Sequence, residues 1–180
     1  MKTLIVYYSL TQNNETLVKL LRTKLDCEAL KIESVRRRTA FSIVLDNLFS
    51  RKPAIHEYNE TINHYDQLVL AGPIWLGKLA TPLKTFLTKE KNNIKHYSLI
   101  SVCGGLPGQA EKIELELTSI VGLRPDRVCE LWVSTVAEEK IKRDPKNMSA
   151  YRIGSSDLQK FRPKIDEFCE SLQREIAAVR

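Results

Sequence analysis

Five short runs rich in branched aliphatic residues recur along the chain, and most are followed by a segment of helical period. The runs are TLIVYY (3–8), EALKIES (28–34), DQLVLAG (66–72), HYSLISVCGG (96–105) and DRVCELWVST (126–135). Consecutive apolar positions at this length predict strands buried on both faces. Between them, ETLVKLLRTKL places Leu17, Leu20, Leu21 and Leu25 at helical spacing, with Asn13 and Asn14 as N-cap residues. TPLKTFLTKE (81–90) tolerates Pro82 in its first turn, and Gly122 closes GQAEKIELELTSIVG (108–122). TAFSIVLDNLF (39–49) predicts a helix, RKPAIHEYNETIN (51–63) a connector, and residues 136–154 a polar excursion. The chain ends in a long helix with Ser156 as its cap, and Pro163 either sits in its early turns or kinks it.

This alternation predicts an α/β fold, three-layered and doubly wound around a five-stranded parallel sheet, in a single domain over 1–180. Ligands of such sheets bind beyond the carboxyl ends of the strands, at the topological switch point. Three loops therefore matter most: SLTQNN (9–14), GPIWLGKLA (72–80) and CGGLPG (103–108).

Composition excludes several classes. The 180 residues are 43% hydrophobic and 28% charged, an ordinary globular balance. No apolar run approaches the ~20 residues that span a bilayer. MKTLIVYYSLTQ reads as a first strand and lacks the features of an export signal, so a cytoplasmic setting with reduced thiols is expected. Cys27, Cys103, Cys129 and Cys169 are far apart and have no nearby His at ligand spacing, so no metal site is expected. The net charge of +6 is dispersed over RRR (36–38), RK (51–52) and KIKRDPK (140–146). Without interleaved aromatics these clusters read as solvated surface, and nucleic acid is not an expected partner.

The loops narrow the chemistry. Gly72, Gly77 and Lys78 match most of the nucleotide phosphate-loop pattern G-x-x-x-x-G-K-[ST]. Leu79 stands where that pattern holds magnesium with a hydroxyl, and Pro73, Ile74, Trp75 and Leu76 crowd the interior. An ATP site is excluded on those grounds. Trp75 and Leu76 instead offer flat or apolar surface to a ring system, while a core aromatic is the plainer reading of Trp75. In the first loop, Ser9, Thr11, Asn13 and Asn14 cluster donors at a helix start, which suits a phosphate or simply a capped turn. The glycine-rich third loop exposes backbone polar groups, suited to the edge of a planar heterocycle or to a tight turn. Cys103 has no histidine close in sequence and reads as a small buried residue.

Together the loops ask for a phosphate beside a planar, partly apolar ring. LIVYYSLTQNNETLVKLL, YDQLVLAGPIWLGKLATPLKTFL and SVCGGLPGQAEKIE make the chain resemble the flavodoxin-like FMN proteins. The second segment carries the most specific signature, P-x-[WY]-x-G followed by P-x-K-x-F-L. The resemblance implies the strand order 2-1-3-4-5 and FMN as cofactor. It implies a cofactor site made of Ser9, Leu10, Thr11, Gln12, Asn13 and Asn14, of Pro73, Ile74, Trp75, Leu76 and Gly77, and of Cys103, Gly104, Gly105 and Gly108. It implies a redox partner, or a small-molecule electron donor or acceptor, and assigns no catalytic residue.

The departures from the family pattern are informative. Gln12 replaces a glycine of the usual [ST]-x-T-G-x-T loop, at a cost of about 1 kcal/mol if that position has positive φ. Asn14 replaces the last Thr, and Leu106-Pro107 stands where carriers often place a stacking aromatic. The chain is basic where electron carriers of the family are typically acidic, and Lys78 sits beside the implied ring. The open loop and the positive charge lean towards an oxidoreductase acting on NAD(P)H or a quinone and away from a dedicated carrier. A fold that has lost its flavin and serves as a binding module is the alternative that Gln12 keeps open.

Overall fold

The computed structural model describes residues 2–36, 39, 42, 43, 45, 46 and 51–178. The helix expected in TAFSIVLDNLF lies largely outside these residues, as do Arg37 and Arg38; Ser42, Ile43, Leu45 and Asp46 are helical.

In chain order the strands are β1 (Thr3–Tyr7), β2 (Glu28–Lys31), β3 (Gln67–Ala71), β4 (Ile74–Trp75), β5 (Lys78–Leu79), β6 (His96–Cys103) and β7 (Arg127–Trp132). Among the described residues the α-helices that run unbroken are α1 (Asn13–Leu25), α2 (Thr81–Glu90), α3 (Gln109–Val121), α4 (Val133–Val136), α5 (Glu139–Lys142), α6 (Pro145–Ala150) and α7 (Ser155–Ala178). Five strands form one parallel sheet in the order β2-β1-β3-β6-β7, the expected 2-1-3-4-5 order. Ile5 pairs with Ala29 on one side and Val69 on the other, and Ile100 with Cys129.

Both sheet faces are dry, which explains why the strands read as unbroken apolar runs. Alternate side chains divide between the two faces. Leu4, Val6, Leu68, Leu70 and Leu99 pack with Leu83, Phe86 and Leu87 of α2 and Ile113, Leu117 and Val121 of α3. Ile5, Val69, Ile100 and Val102 pack with Leu17, Val18 and Leu21 of α1 and Phe161, Ile165, Phe168 and Leu172 of α7.

Four local expectations are corrected. Asn13 and Asn14 lie inside α1, and the N-cap position is Gln12, whose side chain makes no capping bond. β7 stops at Trp132 and the chain turns into α4, although Val133, Ser134 and Thr135 suit a strand. The residue before α7 is Gly154 rather than Ser156, and the Asp157 carboxylate accepts its N–H at 2.9 Å, half of a capping box. Pro163 lies in the third turn of α7, which continues through it. It is exposed, so the backbone carbonyl it cannot bond faces water.

Candidate functional site

All three loops leave the carboxyl ends of central strands: the first after β1, the second after β3, the third after β6. The order reverses between β1 and β3, so the switch point falls between the first two loops.

The first loop ends in a forced turn. Gln12 has φ 66° and ψ −10°, the left-handed region that costs an L-residue on the order of 1 kcal/mol. Glycine adopts this geometry without strain, and here Gln12 carries it. Past the turn, Asn13 and Asn14 point back into the protein. Asn13 Nδ2 donates to Tyr151 O at 2.9 Å and its Oδ1 accepts from Ile153 N at 3.1 Å. Asn14 Nδ2 donates to Val102 O at 3.2 Å and its Oδ1 accepts from Val102 N at 2.9 Å. Their carboxamides are thus committed, and what they offer an anion is backbone N–H at an uncapped helix start. Ser9 Oγ is shielded from solvent and has no hydrogen-bond partner among the described residues. A buried hydroxyl without a partner is costly, and one in this loop fits a phosphate oxygen.

The second loop is a hairpin that its sequence hides. β4 and β5 pair antiparallel, Ile74 with Leu79 and Trp75 with Lys78. The two residues between them, Leu76 and Gly77, both have positive φ, 52° and 73°, as a tight hairpin turn demands. Leu76 takes that conformation with 72% of its surface exposed. The hairpin is fixed at its base. Ala80 N donates to Pro73 O at 3.0 Å, and Glu116 of α3 accepts from Leu79 N at 2.8 Å and from Lys84 Nζ at 3.0 Å. Trp75 is half-buried and meets Tyr8 edge to face, ring centroids 5.7 Å apart. A Cβ on Gly72, just past β3, would lie 2.4 Å from Leu83 Cδ1, so a larger residue there would have to push the Leu83 side chain of α2 aside.

The third loop rests on a polar cluster. Glu130 is buried, and its two carboxylate oxygens accept from Gln109 Nε2 and from Trp132 Nε1, the latter at 3.0 Å. Gln109 opens α3 and Trp132 ends β7, so Glu130 ties both flanks of the loop together. Gly105, at φ 85°, sits on the Trp132 ring; a Cβ there would lie 2.4 Å from Trp132 Cγ. The Cys103 thiol faces this cluster, 3.6 Å from Gln109 Nε2. Burial first, and then the Glu130 charge, push it up to about 12. It is a buried thiol as expected, and it is no nucleophile near neutral pH.

The structure thus places the three predicted segments at one end of the sheet, with Cys103 turned inward and the Asn13 and Asn14 side chains engaged elsewhere. Leu10, Leu76 and Leu106, one from each loop, are exposed. Sequence reasoning missed Tyr8, Glu130, Gln109 and Trp132 as supports. Their one available signal was position, since Cys103 and Trp132 are register partners at the strand ends. No group of acidic, His or Cys residues among the described residues could hold a metal ion. No described helix is long and apolar enough to cross a membrane.

No family model and no curated protein matches the chain. Solved structures do match. A flavoprotein of Lactobacillus acidophilus NCFM, solved in complex with FMN, superposes with a TM-score of 0.64 at 24% identity, covering 72% of this chain and 92% of that one. The chain has a flavodoxin-like fold. The apo-form of the same flavoprotein matches with a TM-score of 0.59 at 22% identity, over 79% of this chain and 95% of that one. A Bacteroides eggerthii DSM 20697 protein matches with a TM-score of 0.64 at 20% identity, over 72% of this chain and 87% of that one. The flavodoxin-like fold accounts for the strand order and for the convergence of the three loops.

Proposed function

We propose that this chain is an FMN-binding redox protein whose cofactor spans the three loops. The observation that carries the reading is the uncapped start of α1 beside the shielded, unpartnered Ser9 hydroxyl. Together they suit a phosphate monoester. Ser9 and Thr11 would offer hydroxyls, and Gln12, Asn13 and Asn14 backbone N–H groups. Leu10 lies in the same loop. The hairpin Pro73–Gly77 and the loop from Cys103 through Gly104 and Gly105 to Gly108 would flank the ring. Bound FMN supplies the electron chemistry. The residues bind it, orient it and cover its apolar part.

The exposed tip Leu76, held in a conformation that disfavours leucine, supports this assignment. Strain together with apolar exposure recurs where a residue serves a ligand. Leu106 offers no aromatic plane, so one ring face stays open to a second reactant. Within this reading the chain acts as an oxidoreductase on NAD(P)H or a quinone, or passes electrons to a redox partner. Its positive charge and Lys78 favour the first.

Titration with FMN, followed by quenching of flavin fluorescence, tests the binding. Saturable quenching is expected, and its absence would favour a binding module that has lost the flavin. Rapid mixing of the loaded protein with NADH or NADPH then separates oxidoreductase from carrier, since only the former bleaches on the millisecond-to-second scale.

A further inference from the structure

Arg152 lies far from the three loops in sequence but is fastened to the first of them. The Asn13 carboxamide bonds to Tyr151 O and to Ile153 N, the two backbone groups that flank Arg152. Ile153 is buried and Arg152 exposed, so the arginine side chain leaves the surface beside the first residue of α1. A second clamp fixes the same segment from behind. The Asp157 carboxylate accepts from Tyr151 Oη at 3.0 Å and from Gly154 N at 2.9 Å.

The guanidinium is itself half-anchored. Its Nη1 donates to Ala150 O at 2.6 Å and reaches Tyr151 O at 3.3 Å. Tyr151 O is the carbonyl to which Asn13 also donates, so the cation and the start of α1 converge on one oxygen. Nε and Nη2 have no partner among the described residues, and no described carboxylate pairs with the arginine. That free edge is the side of the fork that grips a phosphate through two parallel N–H bonds.

We propose that Arg152 is the cation of the phosphate site, brought to the start of α1 by the clamp between Asn13 and the backbone on either side of it. The proposal rests on the FMN reading given above. It adds that this chain, whose first loop contains neither Lys nor Arg, neutralises the phosphate with a residue from the excursion after β7. Arg152 would then discriminate phosphorylated flavin from riboflavin, which shares the ring and lacks the charge.

The test compares the affinity of the protein for FMN and for riboflavin by fluorescence quenching, in wild type, Arg152→Gln and Arg152→Lys, with a thermal melt of each. Wild type should prefer FMN. Arg152→Gln should weaken FMN about tenfold, leave riboflavin unchanged, and flatten the salt dependence of FMN binding. Arg152→Lys keeps the charge without the fork and should fall between the two. An unchanged preference for FMN in both variants would overturn the role of Arg152 while leaving the FMN site standing. Equal losses for both flavins would also overturn it, because they mark a structural role. A wild type that binds neither flavin would remove the FMN reading, and this proposal with it.

Discussion

The Asn14 carboxamide closes on both backbone polar groups of Val102, accepting from its N–H at 2.9 Å and donating to its carbonyl at 3.2 Å. The β3 ladder ends with Ala71 opposite Ile100, and Asn14 takes up the sheet edge just beyond. One side chain thus replaces a missing strand and pins α1 to β6, which joins the first loop to the third. Asn14→Ala leaves two buried backbone groups without partners and should lower stability by about 2–3 kcal/mol. Urea denaturation checks this; a loss below about 0.5 kcal/mol would mean that Val102 finds other partners.

Two positive-φ positions offer a contrast. Gln12 and Leu76 have φ of 66° and 52°, and both are exposed. Glycine at either site should relieve about 1 kcal/mol of strain, and its greater freedom in the unfolded chain offsets about 0.5–1 kcal/mol of that, so stability should hold or rise by up to about 0.5 kcal/mol. Their effects on flavin should differ. Gln12→Gly leaves the backbone donors in place and should hold or improve FMN affinity. Leu76→Gly would remove the apolar surface that the proposed site offers the ring, and should weaken FMN several-fold without loss of stability. Paired melting and FMN titration of the two variants read both effects.

Gly105 tests the support beneath the third loop. Its φ of 85° and the 2.4 Å approach of a Cβ to Trp132 Cγ leave no room for alanine. Gly105→Ala should cost more than about 2 kcal/mol and shift Trp132 fluorescence, because the indole must move or the loop must lift.

Much of this was legible in the sequence, and the failures have physical causes. Thr81–Glu90 was predicted to the residue because Pro82 and the helical period mark both the start and the buried face. The five strands were legible because a sheet covered on both faces leaves continuous apolar runs. The hairpin at Ile74–Leu79 was not, since two-residue strands carry no alternation and Leu76 occupies a place where glycine or asparagine would signal the turn. Asn13 and Asn14 read as caps because their partners, Tyr151 and Val102, are 138 and 88 residues away. Gln12 stood out only against the loop pattern of the family that the chain resembles, and its positive φ agrees with that reading.

Alkaline pH should unfold the chain early. Burial pushes the Cys27, Cys129 and Cys169 thiols from 9.0 up to about 11, and Cys103 to about 12. The hydrogen bond to Glu28, then burial, raises Tyr65 from 10.0 to about 12, and burial raises Tyr58 and Tyr97 further. Groups that titrate later when folded hold their stabilisation below the unfolded value and lose it as pH rises towards the folded one. Stability should therefore stay level to about pH 9 and fall between about pH 9 and 12. Melting temperatures across that range check the sign. A thiol reagent at pH 8 should leave Cys103 unlabelled in the native protein.

The most direct measurement is the visible absorbance of the purified protein, mixed with FMN and then passed through gel filtration. An FMN site across the three loops predicts visible flavin bands that travel with the protein peak. A colourless protein peak, with all the flavin in the small-molecule fraction, would contradict the FMN assignment.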